Sequence, residues 1–241
     1  MTHRPAETQV VGIDPLGLAG ILGVPAGAGA LIIFAHGSGS GRLSPRNNHV
    51  AAGLRQAGLA TLLLDLLTPA EENVRENVFD IDLLCTRLLS ATRWASRGTV
   101  LARLPIGYFG ASTGAGAALL AASREPDRIG AVVSRGGRPD LAGSAALAHV
   151  QAPTQLIVGS HDRAVLELDQ AAARHLRCEH ELVVLPGAHH LFEEPGALDQ
   201  VIGHATRWFR DHLVLRLRRA GWTRCFPSPV AGAREGCWPA G

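Results

Sequence analysis

Six short apolar runs, separated by longer stretches of helical periodicity, leave this chain few ways to fold. The runs read ALIIFAHG, LATLLLDLL, PIGYFGAS, IGAVVSRGG, PTQLIVGSHD and HELVVLPGAHH. Between them, residues 48–57, 71–97, 114–124, 166–176 and 198–213 carry helical patterns. Strands alternating with helices in this way predict an α/β architecture, a mainly parallel sheet with helices on both faces. Ahead of the series, residues 9–13 and 18–24 flank the turn signal Asp14-Pro15-Leu16-Gly17 and read as an opening antiparallel pair. No internal repeat is present.

A chain of 241 residues suits one large domain, which the patterns place at residues 1–215. Hydrophobic residues make up 46% and aromatic ones only 5%, so the core has to be built from Ala, Val, Leu and Ile, as buried parallel strands require. The remaining residues, 216–241, form a tail rich in Arg, Trp, Pro and Gly that matches no motif and is expected to be dispensable for catalysis. Its five arginines against Glu235 give it +4 of a total of +2, leaving the body at −2. A body so near neutrality carries no electrostatic footprint for nucleic acid.

All 23 basic residues are arginine. Without lysine there is no P-loop, no Schiff base and no Ser-Lys hydrolase. The four cysteines, Cys85, Cys178, Cys225 and Cys237, form no CxxC, which is the pattern of a reduced, cytoplasmic protein. Residues 15–35 are uncharged, but Pro15, Pro25 and five glycines interrupt them, so no membrane span is expected.

In open parallel sheets, ligands bind beyond the carboxyl ends of the strands. There the sequence offers His36-Gly37-Ser38-Gly39, Asp65, Ser112, Ser134-Arg135, Asp162 and His189-His190. The stretch GYFGASTGAGAALLAAS poses a choice, since Gly110-x-Ser112-x-Gly114 is a nucleophile pattern and Gly110-x-x-x-Gly114-x-Gly116 a dinucleotide one. A dinucleotide loop belongs in the first strand-helix turn, and the tyrosine-lysine pair of short-chain dehydrogenases is impossible here: lysine is absent and the single tyrosine, Tyr108, lies within a strand run. Strand, tight turn and helix around Ser112 instead suit a nucleophile elbow, the plainer alternative being a serine N-cap.

Asp162 and His190 follow the next two runs, so the chain order is Ser, Asp, His. Each alone reads as a helix cap or a surface histidine. Together they supply a base for Ser112 and an anion to orient that base. Donors for an oxyanion are expected from the backbone of Thr113 and of Ser38 or Gly39.

With these residues in view, the chain resembles the α/β-hydrolases of the dienelactone-hydrolase-like group over roughly residues 10–213. The resemblance is carried by FAHGSGSGRLSPRN, ATLLLDLLTPAEE, GYFGASTGAG, VVSRGGRPDLAG, IVGSHDRAV and LPGAHHLFEEPG. It implies hydrolysis of an ester-type bond through an acyl-enzyme, with Ser112, Asp162 and His190 at the triad positions. Dienelactone hydrolases proper use a cysteine nucleophile and a glutamate in the oxyanion loop. Here Ser112 and a carboxylate-free Ser38–Gly41 stand in those places, which points to a serine carboxylesterase acting on a small-molecule ester. An acyltransferase or C–C hydrolase with the same triad, or a binding protein that keeps the scaffold without turnover, are the alternatives.

Arg42, Arg46, Arg135 and Arg138 follow strand ends and could clasp a substrate carboxylate, although such arginines more often tie loops together. Asp65 and Glu71-Glu72 are their expected structural partners. The eleven histidines form no HExxH, so neither metal nor organic cofactor is expected. Only about twenty residues separate the runs ending at Ser134 and starting near Thr154, which leaves no room for a separate cap domain. A monomer or homodimer is expected.

Overall fold

The computed structural model describes residues 7–215. The expected tail, 216–241, lies outside the described residues. An eight-stranded sheet runs in the order β1-β2-β4-β3-β5-β6-β7-β8. Its strands are β1 (Thr8–Ile13), β2 (Leu18–Gly23), β3 (Leu31–Ala35), β4 (Ala60–Leu64), β5 (Ile106–Ala111), β6 (Ile129–Arg135), β7 (Thr154–Gly159) and β8 (His180–Leu185). The opening pair β1 and β2 is antiparallel, β2 joins β4 antiparallel, and every later pairing is parallel.

Residue alternation sorts the strands onto two cores. In β3, Leu31, Ile33 and Ala35 pack with Leu84, Leu88 and Leu119 on one face. Ile32 and Phe34 pack with Val50, Leu54, Val201 and Trp208 on the other. Fully burying one such Leu or Ile contributes about 1.5–3 kcal/mol, so strands apolar on both sides hold both helical layers at once. The second face carries α1 (Pro45–Gln56) and α8 (Ala197–Phe209), and the first carries α4 (Ile81–Ala95) and α5 (Thr113–Arg124). The lone tyrosine belongs to this scaffold, its hydroxyl 2.6 Å from Thr92 Oγ1 in the core.

Local chemistry moved several element ends. Helix α1 begins at Pro45, three residues before the predicted start, because Ser44 accepts from the Asn47 N–H and Pro45 fits the first helical position. The helix expected over 71–97 is three: α2 (Pro69–Glu72), α3 (Arg75–Phe79) and α4. Thr68 and Glu71 close a capping box on α2, and the Asp80 carboxylate takes the Leu83 N–H at 2.9 Å to restart the chain as α4. Between β6 and β7 there are only a 3₁₀ turn (Pro139–Ala142) and α6 (Ser144–His149), so no cap domain is inserted. The last described turn, Arg210–Leu215, is π-helical.

Candidate active site

Two glycines explain how Ser112 comes to stand where it does. A Cβ on Gly114 would lie 2.2 Å from the Ala35 carbonyl oxygen, and one on Gly110 would lie 2.5 Å from the Ala115 Cα. Their absence lets α5 start directly against the ends of β3 and β5. Ser112, at the turn, adopts φ 50° and ψ −125°. For a residue with a Cβ this conformation costs on the order of 1–3 kcal/mol, which the packed strand and helix on either side sustain. Ser112 Oγ makes no hydrogen bond among the described residues, so the hydroxyl does not act as a helix cap.

Helix α7 (Arg163–Ala173) follows β7, and Asp162 is its first flanking residue. The Asp162 carboxylate accepts from His190 Nδ1 at 2.6 Å, which leaves Nε2 as the ring's other face. The segment after β6 links this pair to Ser112. Arg138 donates its N–H to the Ser112 carbonyl at 3.0 Å, while a Cβ on Gly136 would stand 3.0 Å from the His190 carbonyl oxygen and 3.6 Å from its Nδ1. His189 turns elsewhere: its ring and its backbone N–H both donate to Glu194 Oε1, at 2.6 and 3.0 Å.

The loop after β3 is held by His36. Its Nε2 accepts the Leu66 N–H at 2.9 Å and its Nδ1 donates to the Gly37 carbonyl at 2.9 Å. Burial lowers the pKa of this ring, in keeping with the neutral tautomer those two bonds require. The Ser38 N–H donates to Thr113 Oγ1 at 3.0 Å, a side-chain contact that no sequence pattern announces. A cleft of about 430 Å³ opens beside this loop, walled by Leu43, Leu67, Val78 and Leu84 and edged by Asp65 and Glu72. Arg42 is the one member of the expected arginine set that lines it.

Three of those four arginines are tied to carboxylates. Arg42 pairs with Asp65, Arg138 chelates Asp140 with two bonds of 2.8 Å, and Arg46 Nη1 reaches Glu193 at 3.1 Å. Glu71 pairs with Arg87. Arg135 is 7% exposed and has no hydrogen-bond or ion-pair partner among the described residues. Among those residues no group of three or more His, Cys, Asp or Glu is gathered as a metal site.

Sequence reasoning passed over Asp169. It is fully buried on α7, and neither carboxylate oxygen has a partner. The signal was its place on an apolar face with Val165 and Ala172. Burial first, then the charges of Asp162 and Asp140, push its carboxyl up to about 8. An unfolded aspartate titrates near 3.9, so folding is penalised little below that pH and progressively more as pH rises towards 8. Asp169→Asn should therefore raise the melting temperature, by roughly 3 °C or more at pH 8 and by clearly less at pH 5. Calorimetry at the two pH values checks this; an equal gain at both would exclude the carboxyl charge as the cause.

A mainly parallel sheet with a strained Ser at the head of the helix after β5, and an Asp-His pair after β7 and β8, defines the class: this is an α/β-hydrolase fold. A dienelactone hydrolase from Anabaena variabilis superposes with a TM-score of 0.84 at 50% identity, over 87% of this chain and 100% of that one. The chain belongs to the dienelactone-hydrolase-like group of the α/β-hydrolases. More distant structures share the fold: Est1E from Butyrivibrio proteoclasticus (TM-score 0.73, 17% identity, 85% of this chain and 98% of that one) and a dienelactone hydrolase-like promiscuous phosphotriesterase, P91, from metagenomic libraries (0.69, 15%, 87% and 100%). No protein-family model matches the chain. Two curated proteins of Mycobacterium tuberculosis, strains CDC 1551 and H37Rv, provisionally named phosphoribosyl transferases, are 56% identical over 210 residues, 87% of this chain. The chain spans 47% of the length of each. Among the described residues no helix is long and apolar enough to cross a membrane.

Proposed function

We propose that this hydrolase is a serine carboxylesterase that cleaves small or short-chain esters through an acyl-enzyme. What supports the proposal is the 2.6 Å pairing of His190 Nδ1 with Asp162 at the carboxyl ends of the same parallel strands that carry the strained Ser112. In this mechanism, Ser112 Oγ attacks the ester carbonyl carbon while His190 Nε2 takes its proton. Asp162 stabilises the resulting imidazolium. Collapse of the tetrahedral intermediate breaks the C–O bond, and the proton passes from His190 to the departing alcohol. Water, deprotonated by His190, then cleaves the acyl-serine, and the proton returns to Ser112.

The intermediate's oxyanion requires N–H donors, and Thr113 with Ser38 or Gly39 are the proposed ones. At rest the Ser38 N–H is satisfied by a neutral hydroxyl, Thr113 Oγ1. A developing oxyanion is the stronger acceptor, so exchanging one for the other favours the transition state. The phosphoribosyl transferase name of the mycobacterial proteins is not carried over, because more than half of each lies outside the match.

The absence of an inserted cap supports a short acyl group, placed in the open cleft beside the Ser38–Gly39 loop and Thr113. Each methylene buried in a channel would add about 0.8 kcal/mol of binding, but with only a 3₁₀ turn and α6 between β6 and β7 no cap domain closes over a longer chain, so that gain ends early. Across a series of 4-nitrophenyl esters, kcat/KM is expected to peak between acetyl and butyryl and to fall by octanoyl. A steady rise to dodecanoyl would reveal a deep apolar channel and exclude this reading. Stoichiometric labelling by a serine-directed phosphonate separates an enzyme from a binding protein that merely keeps the scaffold.

A further inference from the structure

We propose that Arg135, assisted by Arg46, forms a subsite for an oxoanion, a carboxylate or phosphate group, carried by the substrate. The proposal rests on the hydrolase reading above only in placing that anion on an ester.

A structural arginine finds its carboxylate inside the protein, as Arg42 and Arg138 do, whereas Arg46 is tied through one Nη1 only and keeps its Nε without a partner. Arg135 finds none. Its Nε and Nη1 are buried without partners, and the contact it does make, Cζ 5.7 Å from the centroid of the Phe192 ring, replaces none of the hydrogen bonds a guanidinium gives up on leaving water. The charge that bears on it is that of Arg46, which has the same sign. Burial pushes the guanidinium down to about 10, so it remains a cation at neutral pH. A buried cation whose Nε and Nη1 have no partner is unfavourable on its own, and an arriving anion would remove the penalty.

The position fits a substrate group. Arg135 is in register with Ala111, the residue before Ser112, on the adjacent parallel strand. Gly136 lies against His190, and Phe192 is two residues beyond it. Arg46, on the first turn of α1, binds Glu193 and keeps its own Nε buried without a partner. The two guanidinium groups thus contact consecutive residues, Phe192 and Glu193, of the loop that bears His190, and Arg135 does so from the strand next to the one that leads into Ser112. Neither belongs to the wall of the apolar cleft. An ester with a small apolar part and an acidic part would therefore place the two at separate sites. The planar fork of arginine suits the paired oxygens of a carboxylate or a phosphate.

The test uses two matched pairs of esters: 4-nitrophenyl butyrate with mono-4-nitrophenyl succinate, and phenyl acetate with 3-acetoxybenzoate. They place a carboxylate on the acyl side and on the leaving side respectively. The ratio of kcat/KM, acidic over neutral, is expected to fall about 30-fold or more in Arg135→Met for one of the pairs. Arg135→Lys should recover only part of it. Melting temperatures with added succinate or with inorganic phosphate identify the anion: the preferred one stabilises the wild type and not Arg135→Met. If Arg135→Met does not fold, Arg46→Met is carried through the same measurements, with a fall of the same sign expected. Ratios that stay within twofold for both pairs, with no stabilisation of the wild type by either anion, would overturn the proposal. Wild-type protein that turns over none of the four esters would sink the hydrolase reading instead, and the melting temperatures would still decide the subsite.

Discussion

Ser112→Ala is expected to lower kcat by about four orders of magnitude or more, the scale at which loss of a serine nucleophile is felt. Folding should be almost unaffected. The hydroxyl makes no hydrogen bond among the described residues, and alanine has the same Cβ to accommodate at φ 50°, so neither a bond nor additional strain is at stake. The packing that makes room for the turn belongs to Gly110 and Gly114, which the substitution leaves in place. Turnover and a melting curve on the same sample check both halves. Retention of more than a tenth of the activity would show that another group is the nucleophile.

The two adjacent histidines should separate almost as widely. Each has a carboxylate at 2.6 Å, so pairing alone does not distinguish them. What differs is the partner. Asp162 is largely buried and fixed at the end of β7, whereas Glu194 is five residues along the same exposed loop and also takes the His189 backbone N–H. His189–Glu194 is a local brace; His190–Asp162 joins two strand ends beside Gly136, two residues before the Arg138 N–H that holds the Ser112 carbonyl. His190→Ala is expected to cost about 10³-fold or more in kcat, and His189→Ala less than tenfold. An inactive His189→Ala beside an active His190→Ala would reverse the assignment.

The parts of the fold that could be read from the chain are those where one period dominates. Leu31–Ala35 is apolar on both faces and so reads as a central strand, and GASTGAG reads as a tight strand-helix turn because only small residues fit there. Periodicity is blind to caps. Residues 71–97 keep a helical pattern through Asp80, yet the Asp80 side chain restarts the helix and the chain breaks there. Ser44-Pro45 was an available start signal for α1, but the apolar pattern begins later.

Among the arginines Asp65 was a readable partner and does take Arg42, but Glu71 goes to Arg87, outside the set, and Glu193 lies 147 residues from Arg46 and meets it only in the folded sheet. The same holds for Thr113 Oγ1 and the Ser38 N–H, 75 residues apart. Asp169 was the opposite case, an acidic residue visible on an apolar face, whose meaning depended on finding no partner there.

The short helices α2 and α3 border the cleft, yet neither contributes a fully buried residue. Apart from Glu71, which caps α2 and pairs with Arg87, and Val78, which packs against the core, substitutions along residues 69–79 would therefore draw little on the stability that the rest of the chain maintains. The surfaces that hold Ser112 and His190 have no such freedom, since even a methyl group at Gly110 or Gly114 collides with backbone. In evolutionary terms the scaffold separates what must be inherited unchanged from what can vary: this one wall of the cleft can change shape with few compensating changes elsewhere in the protein.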